Sequence, residues 1–238
     1  LEEGRITVHD KWSSLGRIAE TTDLQEGVAD ADLVIEAVPE RVDWDQRLNS
    51  VLRVIYLIFN EGWTAGSGDE PIRIQLCDEA IWLARLMTAL APEEPEIEGL
   101  LALMLLNHAR RSARFDGEAG FVPLDQQDRK LWDQPLIDEG LDLLDVAVAR
   151  RLPGPFQIQA AISALHITAD REDDIDWPQI LLLYDRLLHL APSPVVALNR
   201  AVALAETGRL AHARQEAEGV GVAQFLVLDL GLERRVLH

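Results

Sequence analysis

Apolar residues at helical spacing dominate this chain from residue 46 to its end, and this periodicity most constrains the fold. Between residues 48 and 59 the apolar side chains recur every three or four residues, which places them on one face of an α-helix. The stripe consists of Leu48, Val51, Leu52, Ile55, Ile58 and Phe59. Similar runs follow over residues 72–90, 100–108, 126–151 and 155–168. Aromatic residues make up only 5% of the sequence, so Leu, Ala, Ile and Val must supply most of an interhelical core.

Caps and prolines divide the C-terminal third into further helices. Asp176 precedes Trp177 and Pro178, which predicts a helix with Asp176 as its N-cap and proline in its first turn. Pro192 and Pro194 end that helix, and Gly208 closes the next one. Small residues at Ala201, Gly208 and Ala213 match positions where a tetratricopeptide hairpin needs close backbone approach. The sequence therefore predicts an all-α array of helical hairpins, tetratricopeptide-like over about 176–238.

The first 43 residues have a different character. The run ADLVIEAVPE at 31–40 is rich in β-branched residues and ends at a proline, as a buried parallel strand does. Before it, the pattern of residues 22–28 predicts a short helix with Thr22 or Asp23 as N-cap. We therefore predict two parts, a short α/β-type fragment over 1–43 and a helical domain over 44–238.

Charge and cysteine content narrow the class of function. The formal net charge is −19, which repels a phosphate backbone and argues against nucleic-acid binding by this segment. Cys77 is the single cysteine, so an intrachain disulfide is impossible, and we expect a cytoplasmic protein in which Cys77 is a small packed residue. The longest strongly apolar stretch, at 100–106, is far shorter than the roughly 20 residues that span a bilayer. Because the sequence starts at Leu1 and shows no signal peptide, we expect a fragment of a longer chain.

Motifs for catalysis, metal binding or cofactor binding are missing from the sequence. It contains no GxGxxG, Walker A, GxSxG or HExxH motif. Six scattered histidines are expected at the surface or the edge of the core, and the acidic clusters at 93–96 and 172–174 are expected to be solvated first turns of helices. We therefore predict a protein without enzymatic activity and without a cofactor or a metal.

Polar residues gather around a loop at 115–124, where Asp116-Gly117 indicates a hairpin. They suggest either a structural hydrogen-bond network or a recognition surface, because Arg and Trp commonly anchor interfaces. The candidate residues are Asn60, Glu61, Arg110, Arg111, Asp128, Arg129 and Trp132.

Several of these segments occur in an order that resembles a known family. They are 56–62 (YLIFNEG), 100–111, 127–133 (QDRKLWD), 154–160 (GPFQIQA), 176–177 (DW) and 191–201 (APSPVVALNRA). Together they resemble the C-terminal helical extension of a subgroup of bacterial extracytoplasmic-function (ECF) RNA polymerase sigma factors. The resemblance adds Asn199 and Arg200 to the candidate residues. It implies a regulatory, protein-interacting role in transcription initiation, with core RNA polymerase or the sigma-factor head as partner.

The N-terminal segment resembles another family. Residues 21–24 (TTDL) and 31–40 are similar to the later part of the NAD-binding domain of 3-hydroxyacyl-CoA dehydrogenases. In that family the positions matching Ala37 and Glu40 lie beside the cofactor. The glycine-rich loop and the segments with the catalytic histidine and its acidic partner are absent, and Asp43 and Asp45 stand where a basic residue is expected. We therefore expect no useful NAD binding.

The joining of two unlike families near residues 40–46 has three open explanations, a natural fusion, a gene-calling or assembly artefact, or a designed chimera. Two alternatives to the sigma-factor hypothesis also stay open. One is a truncated NAD-dependent 3-hydroxyacyl-CoA dehydrogenase fused to a helical domain. The other is a helical-repeat scaffold that binds a peptide or a small ligand in a groove lined by the helices of 176–217.

Overall fold

A computed structural model of the chain describes residues 44–63, 73–116, 120–209 and 212–213. The chain divides into two compact units, Leu1–Asp43 and Trp44–His238, and all described residues belong to the second. The helix and strand expected within residues 22–40 lie outside the described residues, as do the glycine-rich break after Trp63 and most of the chain beyond Arg209.

The described part is all-α, as the sequence predicts. Its seven α-helices are α1 (Trp44–Trp63), α2 (Ile74–Leu90), α3 (Pro95–His108), α4 (Gln134–Ala149), α5 (Pro155–Thr168), α6 (Trp177–Leu190) and α7 (Pro194–Glu206). Between α3 and α4 lie short 3-10 turns and a hairpin in which β1 (Phe115–Asp116) pairs antiparallel with β2 (Gly120–Phe121). The pairing confirms the hairpin expected from Asp116-Gly117.

Prolines and caps fix where the helices begin and end. The side chain of Asp176 accepts a hydrogen bond from the backbone N–H of Gln179, which confirms it as the N-cap of α6. Helix α7 ends in a Schellman motif, since the N–H groups of Gly208 and Arg209 donate to the carbonyls of Ala205 and Leu204. Gly208 adopts a φ of 81°, a conformation that favours glycine, and so confirms the predicted end of the helix.

Two sequence expectations differ from the structure. Residues 124–131 form 3-10 turns rather than the start of a long helix, because Asp128 caps one turn and Asp133 caps α4, whose first turn contains Pro135. In α1, Val51 is 44% exposed although Leu52 and Phe59 are fully buried, so the apolar stripe that faces the core is narrower than its sequence pattern.

Helix α3 lies at the centre and packs against α1, α2, α4 and α5. It approaches α5 closely at Gly99, where an added Cβ would lie 2.7 Å from the backbone nitrogen of Gln157. Only glycine permits this approach, and it draws α5 against the centre of the domain.

Two large apolar clusters form the core. One is built on α1, α2 and α3 and includes Leu52, Phe59 and Met104, while the other joins α5, α6 and α7 through Ile162, Ile180 and Leu204. Helix α6 packs against both α5 and α7. A tetratricopeptide-like stacking of these helices stays a prediction. The seam between the two clusters is where the candidate site lies.

Candidate functional site

A cavity of about 140 Å³ lies at this seam. Helices α1, α3, α5, α6 and α7 all contribute to its wall, and each helix does so through residues spaced to fall on one face. The polar lining residues are Tyr56, Asn60, Asn107, Arg110, Gln159, Ser163, His166, Tyr184 and Asn199, and the apolar ones are Phe59, Trp63, Leu103, Leu124, Ile162, Ile167, Leu187, Val195 and Val196. Polar groups facing an apolar enclosure are the usual composition of a small-molecule site.

Helix α5 supplies three of the nine polar lining residues, more than any other helix. Gln159, Ser163 and His166 are spaced by four and then three residues, so they form a polar stripe on a helix that has no Asp, Glu, Lys or Arg. Gln159 is anchored by a hydrogen bond from its side-chain nitrogen Nε2 to the carbonyl of Pro155 at 3.2 Å. The stripe makes one face of this otherwise apolar helix polar, and that face lines the cavity.

His166 is the most unusual member of the stripe. Its side chain is 3% exposed, and within the described residues neither ring nitrogen has a hydrogen-bond partner. Burial first, and the charge of Arg110 second, lower its pKa to about 4, so the imidazole is neutral at neutral pH. The ring packs edge-on against Trp177 with centroids 5.2 Å apart, which holds its orientation. His166 therefore offers the cavity one N–H donor and one nitrogen acceptor.

Arg110 brings a positive charge to the same cavity. It follows the end of α3, is 4% exposed, and donates from Nη2 to the side-chain oxygen of Asn107 at 2.9 Å. Asn107 in turn donates to the carbonyl of Leu103 at 2.9 Å. The guanidinium also lies 5.9 Å from the ring centroid of Trp63. Burial lowers the pKa of Arg110 to about 10, which still leaves it protonated at neutral pH.

Asn199 and Asn60 complete the polar lining from α7 and α1. The side-chain oxygen Oδ1 of Asn199 is buried and has no hydrogen-bond donor among the described residues. Asn60 hydrogen-bonds to the phenol of Tyr56, a side chain whose pKa is raised by burial. Burial likewise raises the pKa of the Tyr184 phenol, which therefore keeps its proton at neutral pH.

A stack of side chains ties the cavity wall to the hairpin. The guanidinium of Arg114, which is 3% exposed, lies 4.3 Å from the ring centroid of Trp63 and 4.8 Å from that of Phe121. Such cation–π contacts are strongest where water is excluded. One face of Trp63 thus supports the cavity while Arg114 connects it to β2.

Of the residues expected to form one network, the structure brings Asn60, Arg110 and Asn199 together at the cavity. Arg110 is buried rather than part of an exposed recognition surface. Arg111 pairs with Asp133 at 3.0 Å, Glu61 with Arg73 at 2.9 Å, and Arg200 with Asp185. These three pairs hold structural elements together away from the cavity lining.

Asp128, Arg129 and Trp132 have structural contacts of another kind. Asp128 accepts the backbone N–H of Lys130 and so caps a 3-10 turn. Arg129 donates to the carbonyls of Ile167 and His166 at 3.2 and 3.5 Å, at the end of α5, while its guanidinium lies 4.7 Å from the ring centroid of Trp132. The indole nitrogen of Trp132 is buried without an acceptor in the described part of the chain.

Sequence reasoning missed Gln159, Ser163, His166 and Tyr184. The expectation that each histidine lies at the surface or core edge is wrong for His166 and for His108, which is 4% exposed with its Nε2 3.1 Å from an oxygen of Asp78. The available signal is the polar stripe on α5, because polar residues at helical spacing in an uncharged apolar helix stand out.

Cys77 and the acidic cluster at 93–96 have structural roles. Cys77 is fully buried, its thiol donates to the carbonyl of Phe59 at 3.7 Å, and burial together with the charge of Asp78 raises its pKa to about 12. The expectation of a small packed residue is confirmed. Glu96 is not simply solvated, because its carboxylate accepts the backbone N–H groups of Phe156 and Gln157, at the start of α5.

Metal binding and membrane insertion find no support in the described helices. Over 44–63, 73–116, 120–209 and 212–213, no three His, Cys, Asp or Glu side chains are grouped so that they could hold a metal ion. In the same ranges, no helix combines the length and the apolar character needed to span a bilayer.

Two family models match the chain. Residues 47–148 match a family of unknown function, DUF6596, which covers α1 to nearly the end of α4. Residues 1–56 match the NAD-binding domain of 3-hydroxyacyl-CoA dehydrogenase, in agreement with the resemblance seen in the first 43 residues and extending into α1. No solved structure matches the chain.

One relative matches three quarters of the chain and is itself uncharacterized. The chain is 52% identical over 179 residues to an uncharacterized protein of Rhizobium meliloti (strain 1021). The match covers 75% of the chain and 42% of that protein, so the chain spans less than half the length of the curated relative it matches.

The resemblance to the extension of an ECF sigma factor is wrong in the light of these comparisons. The family matched over the helical domain is one of unknown function, the relative is uncharacterized, and neither indicates a sigma factor. Segments such as 127–133 and 154–160 have structural reasons for their residues, because Asp133 caps α4 and Gln157 binds Glu96.

Proposed function

We propose that the helical domain over 44–213 is a non-catalytic binding domain that holds a small molecule in the cavity between its two apolar clusters. The observation that carries this proposal is a set of buried polar atoms without partners around that cavity. Both ring nitrogens of His166 and the Oδ1 of Asn199 are buried and unbonded in the described part of the chain. Leaving such a group unsatisfied costs about 1–3 kcal/mol, which a ligand with matching polar atoms would recover.

The arrangement of Ser163 and His166 favours binding over catalysis. They lie three residues apart on α5, but no hydrogen bond joins them within the described residues, whereas a serine nucleophile needs a base within reach. The pKa of about 4 also makes His166 a weak base. Its role is better described as a neutral donor and acceptor that recognises a ligand.

Ligand-observed NMR on the full chain tests the proposal. The probes are a set of small neutral, anionic and cationic fragments, each no larger than a substituted six-membered ring. Ser163→Leu places a bulky side chain in the cavity, and Thr168→Leu makes a similar change at an exposed position of the same helix. We expect saturable binding to the natural chain and to Thr168→Leu, and loss of binding in Ser163→Leu.

The same experiment can contradict the proposal in two ways. If no fragment binds the natural chain, the cavity is not a ligand site. If fragments bind the folded Ser163→Leu variant as well as they bind the natural chain, binding occurs elsewhere. Circular dichroism of each variant establishes that it is folded before binding is compared.

A second candidate function, NAD binding by the N-terminal segment, is favoured by the family match over residues 1–56. The missing glycine-rich loop argues against it, because that loop carries the backbone N–H groups that hold the pyrophosphate. We therefore expect no saturable change in NADH fluorescence on titration with the chain. Saturable binding at micromolar concentrations would establish this second function.

A further inference from the structure

Two polar side chains from different helices line the cavity with hydrogen-bonding capacity that the protein does not use. His166, on α5, is 3% exposed, and both of its ring nitrogens are buried without a partner among the described residues. Asn199, on α7, has a buried side-chain oxygen Oδ1 that receives no donor from the same part of the chain. A ligand that matches both side chains must therefore satisfy an imidazole and an amide oxygen at once.

The imidazole of His166 is held in place by contacts that do not use its nitrogens. Its ring packs edge-on against Trp177, with centroids 5.2 Å apart. The guanidinium of Arg129 donates to the backbone carbonyls of His166 and Ile167, which fixes the end of α5 without involving the ring. A neutral imidazole in this position presents one N–H donor and one nitrogen acceptor at a fixed place.

The two side chains together require a ligand that both donates and accepts. The oxygen Oδ1 of Asn199 can only accept, so it requires a ligand N–H or O–H, while the ring N–H of His166 requires an acceptor. A carboxylate has no donor and would leave Asn199 unpaired. An ammonium group has no acceptor and would leave the ring N–H unpaired. Because an unpaired buried group weakens binding, both kinds of ion are disfavoured.

The position of the two side chains on separate helices favours an amide over an alcohol. An amide carries its acceptor and its donor on different atoms, whereas an alcohol combines them in one oxygen. The size of the cavity limits the rest of the ligand, because an engineered cavity of about 150 Å³ in another protein holds benzene, and this cavity measures about 140 Å³. Apolar lining residues such as Phe59, Leu103 and Ile162 suit a body of about one small ring.

From these features we propose that the ligand is a small neutral amide, whose carbonyl accepts the ring N–H of His166 and whose N–H donates to Oδ1 of Asn199. This inference rests on the proposed binding function and specifies the chemistry of its ligand. Arg110 has no part in it, because its guanidinium donates to Asn107 and lies over the ring of Trp63. The apolar body of the ligand lies where lining residues of the two core clusters meet.

Four probes with the same ring size test the inference on the full chain at neutral pH by ligand-observed NMR. The probe 2-pyrrolidinone has both functions of an amide, γ-butyrolactone has only acceptors, protonated pyrrolidine has only donors, and cyclopentanol has one hydroxyl. We expect 2-pyrrolidinone to bind at least about tenfold more tightly than γ-butyrolactone, equivalent to about 1.4 kcal/mol. It should also bind more tightly than cyclopentanol, and protonated pyrrolidine should not bind.

Two substitutions separate the roles of the two side chains. Asn199→Leu removes the acceptor for the ligand N–H and should abolish the preference for 2-pyrrolidinone over γ-butyrolactone. His166→Phe removes the ring N–H that both probes use, so it should weaken both by a similar factor and keep the preference. Asn49→Leu and His189→Gln make comparable changes at exposed positions of α1 and α6 and should alter neither affinity.

The outcomes separate the inference from the function on which it rests. If γ-butyrolactone, cyclopentanol or a charged fragment binds at least as tightly as 2-pyrrolidinone, the amide inference is overturned and the binding function stands. The inference is equally overturned if folded Asn199→Leu keeps the preference. If no fragment of any charge binds, both fail. Where a variant does not fold, the ranking of the four probes on the natural chain decides.

Discussion

Helices α3 and α5 are both fourteen residues long and both largely buried, but they place their polar residues differently. In α3 the polar side chains stand at the two ends, with Glu96 and Glu98 in the first turn and Asn107 and His108 in the last. In α5 they also occur in the middle, where Ser163 faces the cavity and His166 follows one turn later.

The partners of these side chains differ as well. Glu96 binds the start of α5, and Glu98 forms a bidentate pair with Arg150 at 2.9 and 3.2 Å. His166, in contrast, has no hydrogen-bond partner among the described residues. The comparison indicates that polar residues of a buried helix that find protein partners hold elements together, whereas unsatisfied ones that line a cavity, such as His166, mark a site. Three measurements test this distinction.

We expect the greatest change from His166, which should lower the stability of the chain in acid. Its pKa is lowered to about 4 in the folded state from an ordinary value of about 6.5. Below pH 6.5 the unfolded chain therefore takes up a proton that the folded chain does not, and stability falls as the pH drops to about 4. The penalty should reach roughly 3 kcal/mol at the lower limit and be absent above pH 6.5.

Urea unfolding at several pH values measures this penalty. The difference in unfolding free energy between the natural chain and His166→Phe isolates it from the carboxylates that both proteins share. His189→Gln, at an exposed position of α6, serves as the control and should follow the natural chain. Parallel pH curves for the natural chain and His166→Phe would show that His166 is not held neutral by burial.

The next largest effect concerns Glu96 at the start of α3. Its carboxylate accepts the backbone N–H groups of Phe156 and Gln157 and the side-chain nitrogen of Gln157, at 3.0 to 3.1 Å. Glu96→Ala leaves these donors without their charged acceptor and should lower the unfolding free energy by about 2 kcal/mol. Glu93→Ala, one turn before it and exposed, should change stability by less than about 0.5 kcal/mol.

Chemical denaturation of both variants provides the measurement. Equal effects at the two positions would mean that the contacts of Glu96 with α5 contribute little. The comparison of α3 with α5 also requires that Glu96→Ala, when folded, still binds any ligand found for the cavity, because Glu96 does not line it.

The smallest effect is a gain in stability at the site. Asn199→Leu removes a buried oxygen that has no donor in the described residues, so the variant should be more stable by about 1 kcal/mol. Asn49→Leu at an exposed position of α1 provides the control for the better helix propensity of leucine. Thermal unfolding should show a larger gain for Asn199→Leu than for Asn49→Leu, and the reverse order would indicate that Asn199 is satisfied in the folded chain.

The helices and several of their ends follow from local sequence. Asp176 with Pro178, and Gly208 after α7, act through neighbouring backbone groups, so their effects are visible in the sequence. The 3-10 turns before Gln134 were harder to predict because the apolar spacing there resembles a helix. The long helix begins only after Asp133, whose side chain caps the N-terminus of α4.

The cavity could be predicted only in part, because it depends on which helix faces meet. Asn60, Arg110 and Asn199 belong to segments singled out in the sequence, yet they lie far apart along the chain and meet at the cavity only through the packing of the helices. That packing rests on Gly99, whose close approach to Gln157 cannot be read from periodicity. Burial, which decides the protonation state of His166, is equally a property of the assembled fold.

The rate at which Cys77 reacts with a thiol reagent measures how often the domain opens. Its sulfur lies beneath Phe59, a lining residue of the cavity, and the pKa of about 12 leaves almost no thiolate at neutral pH. A thiol reagent can therefore react at an appreciable rate only when α1 and α2 separate. With a single cysteine in the sequence, each labelled molecule reports one such event, and a ligand that stabilises the closed domain should slow the rate in proportion to its occupancy.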